Sequence, residues 1–134
     1  MNGLRLTKLK QVFDPRGAVY HALKASDSDY CGFGEIYFSK INRGIVKGWK
    51  RHNTMTMNLT VPMGKIKIVA YDGIGFADYL LGSDNYYRLT VAPGYWVAFM
   101  GISENNLLAN IANIEHDDNE ISSKSLDDIN YDWG

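Results

Sequence analysis

The sequence predicts an all-β protein, an antiparallel sandwich or barrel. Eight short segments rich in Val, Ile, Tyr, Phe and Thr recur along 134 residues, and several alternate as half-buried strands do. Glycine- and proline-bearing turn signals fall between them. Helical periodicity is scarce. Many short strands punctuated in this way describe closed or paired antiparallel sheets.

The segments follow in order. "AVYHALK" (18–24) comes after the turn "DPRG", and "CGFGEIYFS" (31–39) precedes the turn "NRG". "GIVKGW" (44–49) and "TMNLTVPM" (56–63) follow, and "PMGK" leads into "KIKIVAY" (65–71). In that last segment Ile66, Ile68 and Ala70 face one way, and Lys65, Lys67, Val69 and Tyr71 the other. "YYRLTVA" (86–92), "YWVAFMGI" (95–102) and "LLANIANI" (107–114) complete the set. "FADYLLG" (76–82) suits a single helical turn, and 104–114 is also helical by composition.

One domain over residues 1–134 is expected, ending in an acidic segment, 117–134. That segment holds six acids against Lys124, and the residues before it hold thirteen bases and nine acids. The net charge of −1 provides no global field for nucleic acid, so no nucleic-acid partner is expected. No apolar run reaches the roughly 18–20 residues that cross a bilayer, so no membrane partner is expected either. Cys31 is the one cysteine, and "MNGLRLTKLK" has no signal-peptide pattern. A reducing cytoplasm is the expected location.

The densest chemistry is "GIVKGWKRH" (44–52), which gathers Lys47, Lys50, Arg51 and His52 behind an apolar strand. On a regular strand Lys50 and His52 share a face, and Lys47, Trp49 and Arg51 take the other. A bulge at Gly48 would merge the two sets. His52 either lines a pocket or ends a strand at the surface.

Four motifs in order resemble the dTDP-4-dehydrorhamnose 3,5-epimerase family over about residues 13–120. They are "FDPRGAVYHAL", "GIVKGWKRH", "VPMGKIKIVAYD" and "RLTVAPGYWVAF". The resemblance implies a cupin-like jelly roll, usually a homodimer, with the ligand inside the barrel. It implies a cofactor-independent epimerase of a nucleotide-diphospho-4-keto-6-deoxy sugar, serving bacterial surface polysaccharide. The family's catalytic histidine falls at Lys50, its strand arginine at Lys47, a second histidine at Val97 and its acid tyrosine near Asn110. Arg16 matches its phosphate-contacting arginine. Sugar 3,4-ketoisomerases are a similar group of this length, and a non-catalytic sugar-nucleotide-binding cupin is the remaining alternative.

On that resemblance the expected catalytic residues are His52, Lys50 and Asp72. Histidine as a type suits deprotonation beside a keto group. A lysine polarises the oxygen of the forming enolate or, desolvated, is itself the base. Asp72 would orient the imidazole, unless Asp72-Gly73 is simply a turn; Asp127 and Asp128 are rival partners if the tail folds back. The expected substrate-binding residues are Arg16, Lys47, Arg51, Tyr71, Trp96 and Asn110. Guanidinium groups bind phosphate in a bidentate fork. Trp96 is the favoured base-stacking ring among Trp49, Tyr86, Tyr87 and Tyr95, although such rings are more often core. His116, Tyr87 and Tyr95 are alternative proton donors, and His21 reads as a sheet histidine. Three scattered histidines without a nearby glutamate do not make a metal triad, so neither metal nor cofactor is expected.

Overall fold

In a computed structural model, which describes residues 1–134, the chain forms twelve strands. They are β1 (Leu4–Lys8), β2 (Gln11–Asp14), β3 (Gly17–Tyr20), β4 (Glu35–Lys40), β5 (Val46–His52) and β6 (Met57–Met63), followed by β7 (Lys65–Tyr71), β8 (Phe76–Gly82), β9 (Tyr87–Val91), β10 (Trp96–Gly101), β11 (Leu107–Ala112) and β12 (Ile121–Ser123). Short 3-10 turns, Asp118–Glu120 and Leu126–Asp128, flank β12.

Two five-stranded antiparallel sheets result, ordered β1-β9-β6-β11-β4 and β12-β5-β10-β7-β8. They face each other as a jelly roll, and β2 and β3 pair as a separate hairpin. Alternation decides which side chains enter the space between the sheets. Ile66, Ile68 and Ala70 of β7 join Leu59, Val61, Leu89, Val97 and Leu108 in that inner core. Val69 and Tyr71, from the opposite face of β7, pack with Trp49, Trp96 and Ala98 in a second cluster outside the barrel. Ile129, Tyr131 and Trp133 cover this second cluster, so the acidic segment folds back over the sheet instead of lying free in solvent.

Two segments with helical expectations are strands. Residues 76–82 pair with β7 along their whole length, from Tyr71 opposite Phe76 to Lys65 opposite Gly82. Their exposure alternates, with Phe76, Asp78 and Leu80 outward, which is a period of two. Within 104–114, residues Leu107–Ala112 run between β4 and β6, where both neighbours satisfy their backbone groups. β1, β2 and β12 were not anticipated. They are three to five residues long, too short for alternation to stand out.

The feature that shapes the site is a bulge in β5. Val97 lies opposite Lys50 and Phe99 opposite Lys47, so two steps along β10 match three along β5. A two-against-one bulge resets the alternation. Lys47 therefore joins Lys50 and His52 on the inner side, while Trp49 and Arg51 stay outside. Glycine is required there, because a Cβ at Gly48 would lie 2.4 Å from the Ala98 Cβ. Gly48→Ala is expected to lower the unfolding free energy by about 1–3 kcal/mol, the usual penalty of overpacking. Urea denaturation reads it, and an unchanged midpoint would show that the bulge tolerates a side chain.

Candidate functional site

The inward faces of β4, β5, β6, β10 and β11 enclose a cavity of about 240 Å³. Its walls are largely apolar, from Ile41, Met57, Leu59, Val97, Phe99 and Leu108. The polar groups are Lys47, Lys50 and His52 from one sheet, Tyr37, Ser39 and Asn110 from the other, and His116. An apolar chamber with a few convergent polar groups is the usual form of a small-molecule site.

His52 is 8% exposed, and its Nδ1 lies 2.5 Å from Glu120 Oε2. β12 makes this contact possible by pairing with β5, with Ile121 opposite His52. The other oxygen, Oε1, accepts hydrogen bonds from Thr54 N–H at 3.0 Å, Thr54 Oγ1 at 3.1 Å and Met55 N–H at 2.9 Å. Burial pushes the Glu120 carboxyl up. The hydrogen bonds from His52, Thr54 and Met55, with the His52 charge, together outweigh burial and hold it below its ordinary 4.5. An ionised carboxylate only accepts, so Nδ1 carries the hydrogen, and in the neutral imidazole the lone pair is on Nε2. An imidazole held by a carboxylate in this way has the geometry that a general base requires.

Across the cavity, Asn110 Nδ2 donates to the Tyr37 hydroxyl oxygen at 2.9 Å. The Tyr37 hydroxyl donates in turn to Met55 Sδ at 3.9 Å. A thioether is a weak acceptor, so this hydrogen bond is a weak one. Burial raises the Tyr37 hydroxyl above its ordinary value; the Asn110 bond works against that rise, and the Glu35 and Glu120 charges add to it. Tyr37 is thus a neutral phenol facing the cavity. His116 stands over its ring, the two 6.5 Å apart and edge-on, and bonds Asp118 at 2.9 Å through Nε2.

Of the residues expected at a site, the fold brings together His52, Lys50, Lys47 and Asn110, with His116 beside them. The others lie outside the cavity. Asp72 caps its own turn, accepting from Ile74 N–H at 2.8 Å and Gly75 N–H at 2.9 Å. Those two bonds hold the Asp72 carboxylate, and Glu120 occupies the orienting position beside His52. Asp127 and Asp128 sit in the exposed Leu126–Asp128 turn. Tyr71 stacks on Phe76 with centroids 4.6 Å apart, in the outer cluster. Trp96 faces outward too, between the Arg51 guanidinium at 4.8 Å and Lys124 at 5.0 Å. The bulge leaves Arg51 on that outer face, bonded to Asn53. Arg16 is at the tip of the β2–β3 hairpin, paired with Asp14 at 3.0 Å, with its side chain 90% exposed. Tyr37 and Glu120 were missed by sequence reasoning. Tyr37 sits in a strand with apolar residues on both faces, and Glu120 in a run of acids that reads as solvated. No group of three metal-ligating side chains converges in the chain.

No protein-family model matches the sequence, and no curated protein matches it significantly. Solved structures do. A dTDP-sugar isomerase from Desulfovibrio desulfuricans G20 is 36% identical, with a TM-score of 0.90 over 93% of this chain and 85% of that one. The chain belongs to the dTDP-sugar isomerase and epimerase family. It is an enzyme of that type, on a cupin-like fold. A dTDP-4-dehydrorhamnose 3,5-epimerase from Sulfolobus tokodaii shares the fold at TM-score 0.84 and 22% identity, over 96% of this chain and 81% of that one. So does a sugar 3,4-ketoisomerase from Thermoanaerobacterium thermosaccharolyticum, at 0.79 and 19%, over 90% and 87%.

The state of Glu120 makes stability depend on pH. Its folded value lies below 4.5, so the ionised carboxylate contributes stability that is complete above that value. The contribution is lost as pH falls through the lower folded value. Glu120→Gln, which retains an acceptor, should flatten this acid limb in denaturation curves taken between pH 6 and 3. Glu120→Ala should cost more at neutral pH, about 1–3 kcal/mol for each buried N–H left without an acceptor. Identical pH profiles for wild type and Glu120→Gln would refute the coupling.

Proposed function

We propose that the protein is an epimerase of a nucleotide-diphospho-4-keto-6-deoxy sugar, working in the cytoplasm to supply a deoxysugar for bacterial surface polysaccharide. One observation carries the reading: the base His52 and the acid Tyr37 belong to opposite sheets and face one cavity. His52 Nε2 takes the proton from a carbon beside the keto group. The electron pair moves into an enolate whose charge builds on the former keto oxygen, and Lys50 balances it. Tyr37 then delivers its proton to the opposite face of that carbon, which inverts it. Asn110 Nδ2–H stabilises the phenolate that remains, and proton exchange with water resets both groups.

The cavity fits this use. At about 240 Å³ it is smaller than the roughly 300–1,000 Å³ that engulf a drug-sized ligand. It accommodates a sugar ring beside Lys50 and leaves the nucleotide at the mouth, where Lys47 meets the diphosphate. Neither lysine side chain is ion-paired, and the Lys47 ammonium rests on the Lys40 carbonyl at 3.4 Å. A family relative solved with TDP is consistent with a nucleotide partner.

Arg16 lies outside its own cavity, yet it stands on a hairpin that exposes Phe13 at 65% and Val19 at 59%. We read this hairpin as part of a homodimer interface, with Arg16 contacting the diphosphate in the partner's cavity. Ketoisomerisation is the second reading. It is favoured by the isomerase from Desulfovibrio desulfuricans, but it returns the proton to a neighbouring carbon, which two groups on opposite faces serve less directly.

In heavy water with dTDP-4-keto-6-deoxyglucose, proton NMR should show deuterium entering at C3 or C5. His52→Asn should slow exchange at least about 10²-fold. Tyr37→Phe should preserve exchange while epimerised product falls by a similar factor. Full exchange in His52→Asn would remove His52 as the base, and a 3-keto product would establish the ketoisomerase. For Arg16, inactive Arg16→Ala and His52→Asn chains mixed as heterodimers should regain activity at the one site that has both residues. No recovery would return Arg16 to its own subunit or to the surface.

A further inference from the structure

Three buried polar side-chain atoms in the protein lack a hydrogen-bond partner: Trp49 Nε1, Arg88 Nε and Asn110 Oδ1. Only Asn110 lines the cavity that holds His52 and Tyr37, and only its orphan atom is an acceptor. The residue is 3% exposed, so bulk water does not satisfy that oxygen. Its orientation has a cause. The amide nitrogen is committed to the Tyr37 hydroxyl at 2.9 Å and lies 3.7 Å from Met55 Sδ. The carbonyl half of the amide is what remains. Leucine has nearly the same shape and would line the apolar wall beside Leu108 with no unmatched atom.

We infer that Asn110 Oδ1 accepts a hydrogen bond from a ring hydroxyl of the sugar, so that the cavity selects a hydroxylated keto sugar over its 2-deoxy or 3-deoxy counterpart. The inference rests on the reading of this cavity as a keto-sugar site. An amide carbonyl accepts and never donates, which restricts what can meet it. The keto oxygen, the ring oxygen and the phosphates are acceptors, and the C6 methyl is neither donor nor acceptor. In a 4-keto-6-deoxy sugar the remaining donors are the hydroxyls at C2 and C3. A site built around a hydrogen bond rejects a ligand that leaves its own polar atom unmatched. Asn110 is then a specificity residue through Oδ1 and a positioning residue for Tyr37 through Nδ2.

The test compares affinities for dTDP-4-keto-6-deoxyglucose and its 2-deoxy and 3-deoxy counterparts, by calorimetry on His52→Asn protein to stop turnover. One deoxy sugar should bind about ten- to a hundredfold more weakly, the worth of one buried hydrogen bond. That preference should shrink to near unity when Asn110→Leu is added. Equal affinities for all three sugars, or a preference that Asn110→Leu leaves intact, would overturn the inference. The comparison among sugars needs no change at Asn110, so it stands even if Asn110→Leu fails to fold. Deuterium exchange by the wild-type enzyme reports separately. A hydroxyl preference without exchange keeps the role of Asn110 and ends the epimerase reading, and exchange without a preference does the reverse.

Discussion

Where β5 passes Ala98 it carries one residue more than β10, and this mismatch determines which side chains share a chamber. A regular strand would put Lys47 with Trp49 and Arg51, outside the barrel. With Gly48 and Trp49 both opposite Ala98, Lys47 turns inward to Lys50 and His52, and Trp49 enters the outer cluster. Both placements use the same absent side chain, because a Cβ at Gly48 has no space. One strand therefore supplies a polar wall to the cavity and the most deeply buried ring of the outer core.

Much of the β architecture was legible because its signal is local. Alternation in "KIKIVAY" assigns Ile66, Ile68 and Ala70 to the inner core, and the "GIVKGWKRH" stretch marks both the cavity histidine, His52, and the bulge glycine. What was not legible depends on pairing between distant segments. Asp72 and Glu120 are both acids near turns. Only the register of β12 against β5 makes the second one the partner of His52. Tyr37 is concealed differently. Its strand has Ile36 and Phe38 on the outer face, so composition cannot say which face is lined by the cavity. Trp96 and Tyr71 are the converse: aromatic residues at apt positions that the outer cluster uses for packing.

On the proposed reading of Tyr37, the role of acid has moved from one strand to its neighbour. The position where the family resemblance expects a tyrosine is Asn110 on β11. A phenol nevertheless faces the cavity, from β4, the neighbouring strand, in which Tyr37 pairs directly with Asn110. Cross-strand neighbours on one face have their Cβ atoms about 4.5–5.5 Å apart. A hydroxyl carried on the adjacent strand can thus reach much the same volume. The asparagine contributes a donor to the phenol oxygen, which favours the phenolate more than a hydrocarbon would.

Glu120 has a further property that bears on the proposed role of His52 as a base. Its four hydrogen bonds come from His52, Thr54 and Met55, one short run of chain. Three of them are made by groups that take no part in proton transfer. When His52 gains a proton, the pair becomes a close ion pair, strengthened by low exposure. When His52 loses it, those three donors still hold the carboxylate in place and ionised. In the proposed cycle the imidazole changes charge while its anchor keeps its position. That anchor reaches the site on the segment that also covers Trp49 with Ile129 and Trp133. The outer core that fixes the tail thereby fixes the direction in which Nε2 points.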